Sequence, residues 1–183
     1  AATTFNPFTT DINAVRGQEI GYATFNPLWN IGGTTPLARY SEGNLRAQGH
    51  ASTNNANAIS TLGASSGKWY FEVEMINLQE AIAVTVTNHD RSIIRQVQRV
   101  HDRAYAEYYD GSSWTSLGSG TQYTDGDIVG VAADIDNGKV SFYKNGISIK
   151  TDGTFTPGGD TFYFGCGQIY NPSDEVRINF GQK

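Results

Sequence analysis

The sequence predicts an all-β domain, and three observations carry that expectation. Among 183 residues there are 21 glycines and a single methionine, and 12% of the chain is aromatic, as in a chain of many strands joined by tight turns. Asn-Gly, the strongest short-range hairpin signal because both residues tolerate positive φ, occurs at Asn137-Gly138 and at Asn145-Gly146. The stretch from Lys68 to Ile76 alternates, with Trp69, Phe71, Val73 and Met75 on one side and Tyr70, Glu72 and Glu74 on the other, the signature of a half-buried strand. The length suits one domain with a short extension, and it is enough to bury a sizeable core.

Taken in order, the chain opens with an internal echo. Ala2 to Phe8 reads ATTFNPF and Tyr22 to Leu28 reads YATFNPL. An Asn-Pro step disfavours helix before the proline, so both copies are extended or turning. Two readings stay open: a pair of similar strand-opening turns, or an arm over residues 1–22 ahead of a domain over 23–183. In the second reading Phe5, Pro7 and Phe8 are the docking residues toward an oligomer or particle. Leu28 to Leu62 is rich in Gly, Ser, Thr and Asn, with apolar points at Leu37, Tyr40 and Leu45, and His50 to Thr61 reads as a polar surface loop. Ala81 to Thr87 is the expected successor of the Lys68 strand in one meander.

Asn88 to Arg103 is ambiguous. Arg91, Arg95, Arg99 and Arg103 fall four apart, and Ile93, Val97 and Val100 fit a helix face, yet residues 95–99 alternate almost as well for a strand. Next come a strand through Tyr108 and Tyr109, an Asp-Gly turn, and a return carrying Trp114. Tyr123 to Ser148 is the organising stretch: an apolar strand from Ile128 to Ile135, a turn, an alternating strand with Val140, Phe142 and Tyr143, and a second turn, together a β-meander at the centre of a sheet. Residues 153–160 read as a loop and 161–170 as a buried strand containing Cys166. Residues 171–174 then form a turn and 175–180 a closing strand. A lone cysteine in an apolar run is a buried, inert thiol and leaves no internal disulfide or cysteine-based zinc site.

The bulk numbers narrow the chemistry. A net charge of −5 does not favour nucleic acid, and no run approaches a membrane span. The opening residues lack the basic and apolar regions of a signal peptide. Glu72 and Glu74 share a strand face, as paired carboxylates in glycoside hydrolysis require, but the next position in the alternation is Ile76 and no third acid follows. Asp134-Ile-Asp136-Asn-Gly138 lacks the remaining ligands of a calcium loop, and Asp125 and Asp127 flank a turn. His50, His89 and His101 are dispersed, with no serine or cysteine on a glycine elbow. The residues therefore point to a non-enzymatic protein with no cofactor and no metal.

Four ordered blocks also resemble the SPRY family: SSGKWYFEVEM (65–75), AEYYDGSSW (106–114), DGDIVGVAADIDNGKVSFYKNG (125–146) and RINFGQ (177–182). That resemblance implies a concanavalin-like jelly-roll of two antiparallel sheets, and a strand across the arginine segment between variable loops. TFNPL followed by YSEGNLRA is similar to the start of SPRY domains in bacteriophage tail and virion proteins. It implies a recognition module on a tail fibre, head fibre or capsid, assembled in the bacterial cytoplasm as a homo-oligomer. Its partner would be a host-surface glycan or protein, or another virion protein. A cellular peptide-binding adaptor and a polysaccharide-cleaving enzyme on the same sandwich are the alternatives. The expected ligand-binding residues are Tyr108, Tyr109 and Trp114 for stacking, with Asn88, Arg91, Arg95 and Arg99 for hydrogen bonds and charge. Tyr108 has a second reading as a core residue.

Overall fold

The computed structural model describes residues 22–29, 38–50, 56–100 and 102–181, so Phe5, Pro7, Phe8 and most of the expected arm lie outside the described residues, as does His101. The described residues form thirteen strands and no helix. One sheet has seven strands in the spatial order β1 (Arg39–Ser41), β2 (Arg46–Gln48), β13 (Glu175–Asn179), β4 (Lys68–Asn77), β9 (Ile128–Asp134), β10 (Lys139–Lys144) and β11 (Ile147–Thr154). The other has six, in the order β3 (Ala56–Ile59), β12 (Phe162–Ile169), β5 (Ala81–Asn88), β6 (Ile94–Val100), β7 (Ala106–Tyr109) and β8 (Trp114–Ser116). Every pairing is antiparallel. The second TFNP copy runs beside β3, where Phe25 bridges to Ser60 and is fully buried.

The core lies between the sheets. Phe71, Val73 and Met75 of β4, with Val129, Val131 and Phe142, face Ile82, Val84 and Val86 of β5 and Phe162, Phe164 and Cys166 of β12. Each such side chain contributes about 1.5–3 kcal/mol on burial. Tyr123 is fully buried, and its hydroxyl donates to the Ile82 carbonyl at 2.7 Å with that of Val97 at 3.2 Å. Burial pushes the Cys166 thiol far up, which leaves it protonated and inert.

Several expectations change on contact with the fold. β5 does not follow β4 in one meander but enters the opposite sheet. The connection is held by the buried Asp174 carboxylate, which accepts the backbone N–H groups of Gln79, Glu80 and Ala81. The β9–β10–β11 meander is not central either, because β11 is an edge strand, and it extends to Thr154 inside the expected loop. The two Asn-Gly steps also differ. Lys144 pairs with Ile147, and Asn145 (φ 49°) and Gly146 (φ 79°) both take positive φ, a two-residue hairpin of the I′ kind. Asp134 pairs with Lys139, so the first turn spans four residues and only Gly138 (φ 58°) needs the left-handed region.

The arginine segment is a strand over Ile94–Val100. In a strand a spacing of four keeps Arg95 and Arg99 on one face, and it is the inward one. Arg95, Val97 and Arg99 sit opposite Val86, Val84 and Ile82 on the inward side, whereas Gln96 and Gln98 point the other way.

Candidate functional site

The outer face of the six-stranded sheet is built from cross-strand rows. The register runs Thr85–Gln96–Tyr109–Trp114 across β5, β6, β7 and β8, and Ala83–Gln98–Glu107–Ser116 in the next row. Gln168 of β12 pairs with Ala83, and its side-chain oxygen accepts from the Gln98 amide at 3.1 Å. Ala83, Thr85 and Gly167 form a buried floor of small residues between larger neighbours. Tyr109 and Trp114 close the row as an aromatic pair with centroids 4.9 Å apart, and Trp114 is 40% exposed. The turn that delivers Trp114 is fixed by Asp110, whose carboxylate accepts from the N–H groups of Ser113 and Ser112 and the Ser112 hydroxyl, an arrangement that holds it well below the usual carboxylate range. Arg91, on a positive-φ turn, lies within electrostatic reach of Tyr109 and forms no ion pair among the described residues.

Of the residues expected to bind a ligand, this face unites Tyr109 and Trp114; Arg91 sits on the turn between β5 and β6, and the others are left out. Tyr108 is in the core, its ring 6.1 Å from that of Phe142, and is not available for stacking. Asn88 is buried as a loop tie: its amide donates to Ser92 and Asp160 and its carbonyl accepts from the Ile93 N–H. Arg95 reaches toward the other sheet, donating to the Thr154 carbonyl at 2.7 Å. Arg99 lies beside Tyr123 on the inward side. Alternation along β6 decides these outcomes, since one residue of register exchanges the two faces.

Sequence reasoning missed a second surface. Tyr22, Leu62, Trp69 and Tyr70 are 47%, 54%, 50% and 54% exposed, and they line one cleft of about 500 Å³ with Phe164 and Phe180. Trp69 stands on the inward side of β4, as the alternation requires, but past the margin of the core. Its ring packs 6.5 Å from Phe164, and its indole N–H donates to the Ser66 carbonyl at 2.7 Å. The alternation showed the side of the strand, not that the opposing sheet ends before Trp69. The Tyr70 ring lies over Gly130, where a Cβ would meet its hydroxyl, and its hydroxyl donates to Glu72 at 3.0 Å.

Glu72 and Glu74 do share the outer face of the seven-stranded sheet, but Glu72 accepts from the Tyr70 hydroxyl and the Asn179 amide, and Glu74 belongs to an ion-pair ladder. Arg177 donates to Glu74 at 2.9 Å and to Glu42 at 3.0 Å, while Arg46 bridges Glu42 and Glu175. Hydrogen bonds from Arg177, then Arg46, bring the Glu42 carboxyl from 4.5 down to about 2. A lowered folded-state value contributes stability above the unfolded value and loses it as the pH falls through the folded one. The expected outcome is a melting temperature level from neutral to about pH 5 and declining between roughly pH 4.5 and 2. Glu42→Gln should flatten part of that decline in an acid series of thermal melts.

The remaining acids serve turns. Asp125 accepts from the Leu78 N–H at 2.7 Å, and Asp127 from the Thr124 N–H and the Asn145 amide. Among the described residues, no three His, Cys, Asp or Glu side chains converge as a metal centre does.

The two antiparallel sheets thus carry an aromatic cleft beside β4 and cross-strand rows of polar side chains on the six-stranded sheet. The chain belongs to the SPRY family: the SPRY domain model matches residues 68–183. The solved SPRY domain of human HERC1 superposes with a TM-score of 0.63 over 87% of this chain and 99% of that chain, at 19% identity. In all, 226 solved chains match the fold, and no curated protein matches the sequence. The family match begins at β4, so the three strands and the Phe25 segment before it complete the two sheets from outside the matched region. The blocks TFNPL and YSEGNLRA lie there too.

Proposed function

We propose that this SPRY domain is a non-catalytic recognition module that takes a protein partner in the aromatic cleft beside β4. The observation that carries this reading is four large apolar side chains, each about half exposed, around a single cleft. Contiguous exposed apolar surface is rare on monomers, and Trp and Tyr are the residues that most often dominate binding energy at interfaces. Interaction with other proteins is the usual work of SPRY domains. The carboxylates best placed for glycan hydrolysis are held by Arg177 and Tyr70, which supports a non-catalytic role.

The setting we propose is a bacteriophage virion, on a tail fibre, head fibre or capsid surface, with a host-surface or neighbouring virion protein as partner. The opening blocks TFNPL and YSEGNLRA support this setting. Display in many copies would let weak single-site contacts act together. Phe5, Pro7 and Phe8 on an arm over residues 1–22 are the proposed anchors to the particle.

The test is capture by the immobilised domain of purified host envelope proteins and, separately, of disassembled virion proteins, with the retained protein identified and its affinity measured. Trp69→Ala should weaken that affinity by about 30-fold or more, the loss expected on truncating an aromatic hot spot worth about 2 kcal/mol. The variant should melt close to the parent, because the side chain is half exposed. Undiminished affinity in the variant would move the interface off the cleft.

A further inference from the structure

We infer that a segment of this same chain, Thr4-Phe5-Asn6-Pro7-Phe8, seats in the aromatic cleft beside β4 and has to be displaced before a partner enters. The inference rests on the cleft being the partner's seat, as proposed above, and adds how access to it is controlled. The second copy of the motif, which lies among the described residues, shows what these residue types do together. Phe25 bridges to Ser60 beside β3, with the Asn26 N–H donating to the Ile59 carbonyl and the Thr61 N–H to that of Thr24, both at 2.7 Å. The Phe25 ring is fully buried, 6.0 Å from that of Tyr40. Asn26 then closes the turn, its side-chain oxygen accepting from the Leu28 N–H at 2.9 Å. The motif works as a plug: an extended pair carries a ring into an apolar slot, and the asparagine turns the chain out again. Leu28 ends the copy 91% exposed, and the first copy has Phe8 in that place.

The cleft is a slot of the same kind with its walls in view. Leu62, Trp69, Phe71 and Phe164 line it, and Tyr22 stands on its rim. A contiguous apolar surface of this sort calls for cover. Residues 2–10, ATTFNPFTT, carry no charged side chain, so entering an apolar cleft strips no ion of its water. Chain geometry supplies the rest. Phe8 precedes Tyr22 by fourteen positions, and an extended chain of that length reaches about 46 Å, ample to return to a cleft that Tyr22 itself lines. So short a tether holds the segment at millimolar local concentration, a level that a second copy attains only in very concentrated solution. This favours the segment's own chain as the occupant. Phe5, Pro7 and Phe8 are also the proposed anchors to the particle, so seating and anchoring exclude each other. A partner that takes the cleft thereby frees the anchor, and an engaged anchor opens the cleft.

The test uses the full chain, isotope-labelled, and its Phe5→Ala/Phe8→Ala variant. The Trp69 indole signal is followed by NMR, assigned through Trp69→Phe, and both proteins are titrated with a synthetic peptide of residues 2–8. The double substitution should move the Trp69 indole and leave that of Trp114 in place. Peptide added to the variant should return the signal toward its parent position with a Kd of about 1 mM, and the parent should bind the peptide about fivefold more weakly. The parent spectrum should be the same in dilute and concentrated protein. An unmoved Trp69 indole in the variant, or no binding of the peptide at about 10 mM, would overturn the inference. A signal that changes with protein concentration, with a dimer in sedimentation, would overturn it in favour of a second copy as the occupant. For a partner captured as above, the double variant should bind about fivefold more tightly. Affinity lost in Trp69→Ala together with an unmoved indole would remove the plug and keep the cleft as a partner site. A moved indole with affinity kept in Trp69→Ala would keep the plug and remove the partner, so the two failures are told apart.

Discussion

Replacing Asp174 with alanine is expected to lower stability by about 4 kcal/mol, the largest effect of any single substitution considered for this domain. The side chain is fully buried, and its two oxygens accept four backbone N–H groups: Gln79 at 2.6 Å, Glu80 at 3.0 Å, Ala81 at 3.1 Å and Asn171 at 2.9 Å. Its own carbonyl accepts from Gly49. One residue thus ties the β4–β5 crossover, the β12–β13 crossover and the end of β2, at the place where the chain twice changes sheet. Hydrogen bonds to a charged acceptor are each worth about 1.5–3 kcal/mol, and truncation leaves four donors stranded. Water entering the space recovers part of this, so the expected cost lies below the simple sum. For a domain of this size the melting temperature should fall by about 10 °C, read by calorimetry. Asp174→Asn keeps an acceptor oxygen but loses the charge and turns an N–H₂ toward other donors, so it should fall between the two. A drop in Asp174→Ala of less than about 3 °C would show that the crossovers hold without the carboxylate.

Gly138→Ala comes second, at about 3 kcal/mol. The residue sits at φ 58°, where a β-carbon costs roughly 1–2 kcal/mol by itself. The added methyl would also stand inside the contact distance of the Phe155 carbonyl oxygen and 3.0 Å from Pro157 Cδ. Relief requires moving the chain that leaves β11, yet the Phe155 N–H is bonded to the Gly138 carbonyl at 2.8 Å. Gly146 supplies the control: it follows Asn in the same way and has φ 79°, but a β-carbon there meets nothing within 4 Å. Gly146→Ala should therefore cost only the backbone term, about 1 kcal/mol. Equal urea midpoint shifts for the two variants would rule out crowding at Gly138 and leave backbone preference as the whole effect.

That pair of glycines also marks the limit of what the chain reveals before it is folded. Asn-Gly announces a turn because the requirement for positive φ is local, whereas the crowding at Gly138 comes from Phe155, a residue that only the fold brings near. The same division runs through the molecule. The strands of β4, β9, β10, β12 and β13 were legible from alternation or apolar runs, and the order of the four family blocks identified the sandwich. Which sheet β5 joins was not legible, since the Asp174 clamp lies almost a hundred residues downstream. The candidate sites divide likewise. Tyr109 and Trp114 stood out as aromatics flanking an Asp-Gly turn. Gln96 and Gln98 did not, because alternate polar residues in a strand read as an ordinary wet face and the arginines on either side of them, Arg95 and Arg99, are the more conspicuous residues. Trp69 falls on the same side of its strand as Phe71, Val73 and Met75, yet its exposure was not legible, for alternation specifies the side of a strand but not where the opposing layer stops.

The order of strands in space carries a kinetic consequence. β13 lies between β2 and β4, and β12 lies between β3 and β5, so the two strands made last are interior members of the two sheets. Until they emerge from the ribosome, β2, β3, β4 and β5 each present an open edge and neither sheet is continuous. Arg177 must find Arg46 across 131 positions of chain, a loop closure that precedes any return in contacts. Refolding should accordingly take milliseconds to seconds, as is usual for sandwiches dominated by non-local pairing. Nascent chains halted before residue 162 should be open to proteolysis throughout, and in a densely expressed cell they are the form most exposed to edge-to-edge aggregation.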